Sequence, residues 1–178
     1  MSIRLRQVCA FLLLCTPFLS PAMAGVPGQF TVPSRPAEHV SFPEIKDWNS
    51  LTITLVRGRC LGACPAYIVE IHGDGTVLYT GNAFVAMTGR QQAKIPQAAV
   101  RRLFEKFRAA DFFWSFDRYQ ARVTDLPTAR TKIEFDDRQK ELIDYGGRMV
   151  GMPQEFTDLE LAIDEAAGTA RWIKPQPR

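Results

Sequence analysis

Ala66-Tyr-Ile-Val-Glu-Ile-His72, Gly73-Asp74-Gly75 and Thr76-Val-Leu-Tyr-Thr80 decide the fold class. In the first run Tyr67, Val69 and Ile71 fall on one face, and Glu70 and His72 on the other. That is the two-residue period of a half-buried strand. Gly-Asp-Gly is a tight-turn signal and 76–80 is the returning strand, so the stretch predicts a β-hairpin. Upstream, Leu51-Thr-Ile-Thr-Leu-Val-Arg57 alternates in the same way and supplies a further strand. Downstream, Asn82 to Thr88 and Arg90 to Ile95 extend the meander around Gly81 and Gly89.

After this β-rich half the period changes. Pro96 suits the first turn of a helix. Val100, Leu103, Phe104 and Phe107 then recur on one helical face, with Arg101, Arg102, Lys106 and Arg108 opposite. The run Phe112, Phe113, Trp114 and Phe116 reads as a core plug behind that helix. Thr131 to Phe135 and Gln139 to Tyr145 form a second hairpin across Asp136-Asp137-Arg138, closed off by Gly146-Gly147. Pro153 opens a last helix with Phe156, Leu159, Ile163 and Ala166 inward. Glu155, Asp158, Glu160, Asp164 and Glu165 are expected outward, and Gly168 is the stop.

The order β-β-β(-β)-α-β-β-α predicts an α+β domain. Its expected layout is a single antiparallel sheet of about five or six strands, with two helices packed on one face. The domain is expected over 46–168. A tail, 169–178, follows, loose unless Trp172 docks.

The N-terminus reads as an export signal. Arg4 and Arg6 precede an apolar run from Val8 to Leu19, and Pro21-Ala22-Met23-Ala24 ends in small-x-small, so cleavage is expected after Ala24. The run is shorter than the roughly 20 residues a membrane span needs. Leu14 stands where lipid attachment at Cys15 would want a small residue. The expected product is therefore periplasmic or secreted, with no membrane anchor. Residues 25–45, with Pro27, Pro33, Pro36 and Pro43, read as an extended leader in which His39 is solvated.

Removing residues 1–24 from the 178 leaves 154, enough for one domain with its own core. It also removes two of the 22 basic residues and none of the 19 acidic ones, taking the balance from +3 to +1. Near-neutrality argues against nucleic acid as a partner. The expected partner is an envelope or extracellular protein or ligand that no residue pattern names.

One segment is unusual: Arg57-Gly-Arg-Cys60-Leu-Gly-Ala-Cys64-Pro65-Ala-Tyr67, joining the first two strands. Cys60 and Cys64 are the pair left after signal removal, and in an oxidising compartment they read as a disulfide. Bridged Cα atoms lie about 4.4–6.8 Å apart, whereas four extended residues span roughly 13 Å. Residues 60–64 must then curl, which Gly62 permits. Beyond a purely structural bridge, three uses stay open. One is a thiol-redox site, although the three-residue spacing and the following strand depart from the usual dithiol motif. A second is a soft-metal site for copper or zinc, for which His72 is about six extended residues away. A third is a rigid recognition loop bearing Arg57, Arg59 and Tyr67.

No nucleophile elbow, phosphate loop or zinc-protease motif appears. Acidic residues are plentiful, but no pair stands out from solvated faces. Asp125, in Thr124-Asp125-Leu-Pro127 after Tyr119, is the best polar loop candidate and also a natural turn cap. These absences favour a binding or interaction module without catalytic activity or cofactor over an enzyme.

The motifs Arg57-x-x-Cys60-x-Gly62-x-Cys64-Pro65-x-Tyr67, Gly73-x-Gly75-x-Val77-x-Tyr79-x-Gly81, and Tyr119 with Thr124-Asp125-x-Pro127 carry a resemblance. From about Leu51 to Ala166 the chain resembles a family of exported bacterial domains, domain of unknown function 6438. The resemblance implies an envelope or secreted setting and a single domain, and it supplies no activity and no catalytic residues. Cys60, Cys64, Arg57, Arg59, Tyr67, Tyr119 and Asp125 make up the candidate site.

Overall fold

A computed structural model describes residues 38–174. The expected signal segment, the leader up to residue 37 and the tail from 175 lie outside the described residues. Seven strands form one sheet: β1 (Thr52–Arg57), β2 (Ala66–His72), β3 (Thr76–Ala83), β4 (Gly89–Lys94), β5 (Arg118–Gln120), β6 (Ala129–Phe135) and β7 (Arg138–Tyr145). Two main helices, α1 (Gln97–Ala109) and α2 (Gln154–Ala167), complete an α+β fold.

The strands lie in the order β4-β3-β2-β1-β6-β7-β5. β5 pairs with β7 in parallel, and every other pair is antiparallel. The sheet is therefore mixed and seven-stranded, a correction to the antiparallel sheet of five or six strands. The strand the sequence concealed is β5. Its three residues are too few to display alternation, and its pairing depends on backbone groups. The Ile143 N–H donates to the Asp117 carbonyl at 2.9 Å, and the Ala121 N–H to the Tyr145 carbonyl at 2.8 Å. A second correction concerns 82–88. β3 itself continues to Ala83, and the chain then bends, with Phe84 at φ +54°, before β4.

Both helices lie on one face. Ile53 stands opposite Ile133, and Arg57 opposite both Ala129 and Tyr67, so these side chains share a side of the sheet. On that side Phe104 of α1 meets Phe135 edge-on at 5.2 Å, while Asp164 of α2 meets Arg57 and Tyr67. The core between is apolar and aromatic: Ile53, Leu55, Ile71, Phe104, Phe107 and Ile133 are fully buried. Thr52, Thr54, Glu70 and Glu134 lie on the opposite, partly exposed face.

The packed unit reaches beyond 46–168 at both ends. Phe42 packs edge-on against Phe104 and Phe113 at 5.3 and 5.2 Å. His39, expected to be solvated, is exposed and also contacts Asp111 at 2.7 Å and the edge of Trp114. At the other end Trp172 stacks on Tyr79 at 4.7 Å. Its carbonyl accepts from the Met87 N–H at 2.9 Å. An aromatic side chain that buries most of its surface fixes a short segment without regular structure, because its transfer from water is worth about 1.5–3 kcal/mol.

Candidate functional site

Cys60 and Cys64 are joined, with Cα atoms 5.7 Å apart. The curl between them uses Gly62 at φ +147°, a conformation that side chains rarely adopt. The loop is strapped to 124–128 by backbone bonds: Leu61 N–H to the Asp125 carbonyl at 3.2 Å, and Gly58 N–H to the Thr128 carbonyl at 2.7 Å. A five-residue ring is worth only about 2 kcal/mol of chain entropy. Urea unfolding of Cys60→Ser with Cys64→Ser should therefore show a loss of about 2 kcal/mol or less with the fold retained. Failure of that variant to fold would contradict a bridge that shapes one loop.

Cys64 and Pro65 form one wall of a cleft of about 580 Å³. Leu126, Pro127 and Thr128 continue that wall, the chain after β7 from Asp144 to Met149 forms a second, and Thr157, Glu160, Leu161 and Asp164 of α2 face them. The walls are largely apolar. Met149 and Leu161, on two of these walls, are exposed at 65% and 58% and add apolar surface beside the cleft.

Beneath the apolar walls lies a charged network. Arg57 Nη1 donates to Glu160 Oε2 at 2.6 Å, and Nη2 donates to Asp164 Oδ2 at 3.0 Å. Asp164 Oδ1 accepts from the Tyr67 hydroxyl at 2.7 Å and from Thr169 Oγ1 at 2.9 Å. Asp164 is thus well satisfied. Glu160 is not: its side chain is 4% exposed, and Oε1 has no hydrogen-bond partner among the described residues. Thr157 Oγ1, one helical turn earlier, is buried and unpartnered as well. Native interiors leave few such groups, because an unsatisfied buried polar atom costs about 1–3 kcal/mol.

Across the cleft Asp144 Oδ1 accepts from the Gly147 N–H at 2.6 Å. A Cβ at 147 would stand 2.8 Å from the same carboxylate oxygen and 2.7 Å from Met152 Sδ, so a larger residue there would push both side chains aside.

Electrostatics follow from this arrangement. Burial is the largest influence on Glu160 and pushes its carboxyl up to about 7, against the pull of Arg57 and with the help of Asp144. Burial opposes the charge on Arg57, but Glu160 and Asp164 together outweigh it and hold the guanidinium pKa above its ordinary value. Tyr67 is raised, by burial first and then by its bond to Asp164.

Of the expected site residues, Arg57 and Tyr67 are brought together, opposite one another in register at the ends of β1 and β2. They sit on strands rather than on the loop, with their polar groups turned to Asp164. Arg59 is exposed on the disulfide loop. Asp125 is exposed at φ +75° and contributes its main-chain carbonyl to the strap. Tyr119 is buried against Phe116 and Phe156. His72 lies at the far end of β2 from the cysteines, with Nδ1 3.3 Å from Thr52 Oγ1.

Glu160 and Asp164 are corrections, because the helical pattern placed both outward. The signal was present: 156, 160, 163 and 167 share one helical stripe, and Glu160 interrupts it. Leu161, on which the helical pattern made no assignment, is an apolar side chain left exposed on the same helix. Arg57 also occupies an inward position of its strand, in step with Leu51, Ile53 and Leu55.

A family model described as Domain of unknown function (DUF6438) matches residues 51–167. That span contains the disulfide loop together with Arg57, Glu160 and Asp164. No curated protein matches the chain.

Proposed function

From the premise that the chain belongs to the Domain of unknown function (DUF6438) family, we propose that it is an exported, periplasmic or secreted binding module without catalytic activity. Its ligand would sit in the cleft between the disulfide loop and α2. One observation carries this reading. Glu160 Oε1 and Thr157 Oγ1 are buried without partners among the described residues, in the wall of a cleft lined mostly by apolar surface. Ligand sites combine an apolar lining with a few convergent polar groups, and a cleft of this volume falls in their range. The disulfide supports the reading by holding the Cys64–Pro65 wall before the ligand arrives, which lowers the ordering cost of binding.

Export rests on the N-terminal pattern of Arg4, Arg6, the apolar run and the Ala22-Met23-Ala24 exit. Intact mass of the protein recovered from a bacterial envelope fraction tests it. The expected species begins at Gly25 and contains no free thiol, whereas a full-length, alkylatable species would defeat the proposal.

Fragment screening by ¹⁵N NMR tests the cleft. Shifts are expected to gather at Gly58, Leu126, Gly146, Met149 and Leu161, and to vanish in Leu161→Asp. Fragments that shift other regions and leave these five unmoved would place binding elsewhere.

A further inference from the structure

We infer that the cleft takes an organic cation, a primary ammonium or guanidinium on an apolar stem, with its head between Glu160 and Asp144 and its stem along Leu126, Met149 and Leu161. This rests on the reading of the cleft as a binding site and assigns the chemical class of its ligand.

The charge balance comes first. The charged residues lining the cleft are Arg57, Arg148, Asp144, Glu160 and Asp164, an excess of one negative charge with all ionised. Both cations are engaged. Arg57 is held by Glu160 Oε2 and Asp164 Oδ2, and Arg148 donates to the Met152 carbonyl. Glu160 Oε1 nevertheless has no hydrogen-bond donor of its own among the described residues, although the carboxylate is paired with Arg57 through Oε2. Asp144 faces it with a like charge, held in place by the Gly147 N–H.

An ammonium carries three donors and no acceptor, which matches two acceptor-only carboxylates and the Thr157 hydroxyl. A carboxylate or phosphate ligand would add to the excess negative charge. A neutral alcohol would satisfy one oxygen and leave the repulsion standing. The apolar requirement has its own evidence. Leu161 and Met149, both largely exposed, border the opening, and an alkyl chain laid across them removes apolar surface from water.

Proton linkage supplies a signature that a merely greasy cleft would lack. The titratable and charged groups that line the cleft with Glu160 are Arg57 from β1, Tyr67 from β2, Asp144 near the end of β7, Arg148 just beyond it, and Asp164 on α2 itself. Burial, opposed by Arg57 and aided by Asp144 and Asp164, leaves Glu160 largely protonated below neutrality. A cation bound beside it favours the ionised form, so binding expels a proton and tightens as pH rises towards 8.

Calorimetric titration with hexylamine, hexanol and hexanoate, followed in parallel by ¹⁵N NMR, provides the test. Hexylamine should bind about tenfold or more tighter than hexanol, with hexanoate weakest, and Glu160→Gln should weaken hexylamine by a similar factor. At pH 6.5 the hexylamine heat should vary with the ionisation enthalpy of the buffer, reporting proton release, and that variation should disappear in Glu160→Gln. Hexanol or hexanoate binding as tightly as hexylamine would overturn the cation assignment and leave the cleft reading intact. Silence with all three also overturns it, and the fragment screen then judges the cleft separately. Nα-acetyl-lysine methylamide and a lysine-containing peptide identify the source of the cation. A tighter peptide supports a side chain offered by a partner protein, and parity with hexylamine supports a free amine.

Discussion

Arg57→Met should lower the unfolding free energy by about 3–5 kcal/mol, measured by urea denaturation at pH 8. The substitution keeps much of the side-chain volume and removes the cation that serves two carboxylates at once. Asp164 would retain the Tyr67 and Thr169 hydroxyls. Glu160 would retain none of the hydrogen bonds found here, in a site only 4% exposed. The cost is therefore mainly that of an uncompensated buried carboxylate rather than of a lost attraction. This account makes a further demand: the penalty should shrink by pH 5, where Glu160 can take up a proton and become neutral. A loss below about 1 kcal/mol at pH 8 would mean that the pair behaves as a solvated surface bridge.

The second large effect is the pH dependence that Glu160 imposes by itself. Its carboxyl ionises near 4.5 in the unfolded chain and at about 7 in the folded one. Between those values the folded state holds more protons than the unfolded state, so stability falls as pH rises. The contribution is fully present below about 4.5 and is lost as pH passes through about 7; a gap of this size corresponds to about 3 kcal/mol. Comparing the wild type with Glu160→Gln isolates it, because the amide can still accept from Arg57 but does not titrate. The variant should overtake the wild type with rising pH and hold a constant margin above about pH 8. Parallel curves from pH 4 to 8 would contradict the burial of this carboxyl. Asp74, bonded to Lys94 and Thr76, and Asp136, bonded to the Lys46 and Asp47 amides, are shifted the other way. Their contributions are present above the ordinary carboxylate range and fade as pH falls below it. Both limbs together put the stability optimum in mildly acidic solution.

How much of the fold was legible depended on how local its cause was. The Gly73–Gly75 hairpin, the inward stripe of α1 and the Gly168 stop are each written within a dozen residues, where period and turn chemistry act directly. β5 was not legible. Three residues carry no period, and their strand geometry is induced by β7, whose partners lie more than twenty residues away in sequence. Residues 38–45 and Trp172 likewise owe their order to aromatic faces on distant elements rather than to any signal of their own.

The site divides along the same line. The close spacing of Cys60 and Cys64, with Gly62 between them, was sufficient to predict a closed turn, because a covalent bond across three residues is a local constraint. Glu160 and Asp164 were read as solvent-facing, since a carboxylate on a helix usually is. Their inward placement became reasonable only once β1 brought Arg57 beneath them, from about a hundred residues away. Local sequence thus determined the hairpins, the helical stripes and the disulfide turn. Tertiary structure alone decided which charges are buried, because the cost of burying a charge depends on a partner that the fold, and not the neighbouring residues, supplies.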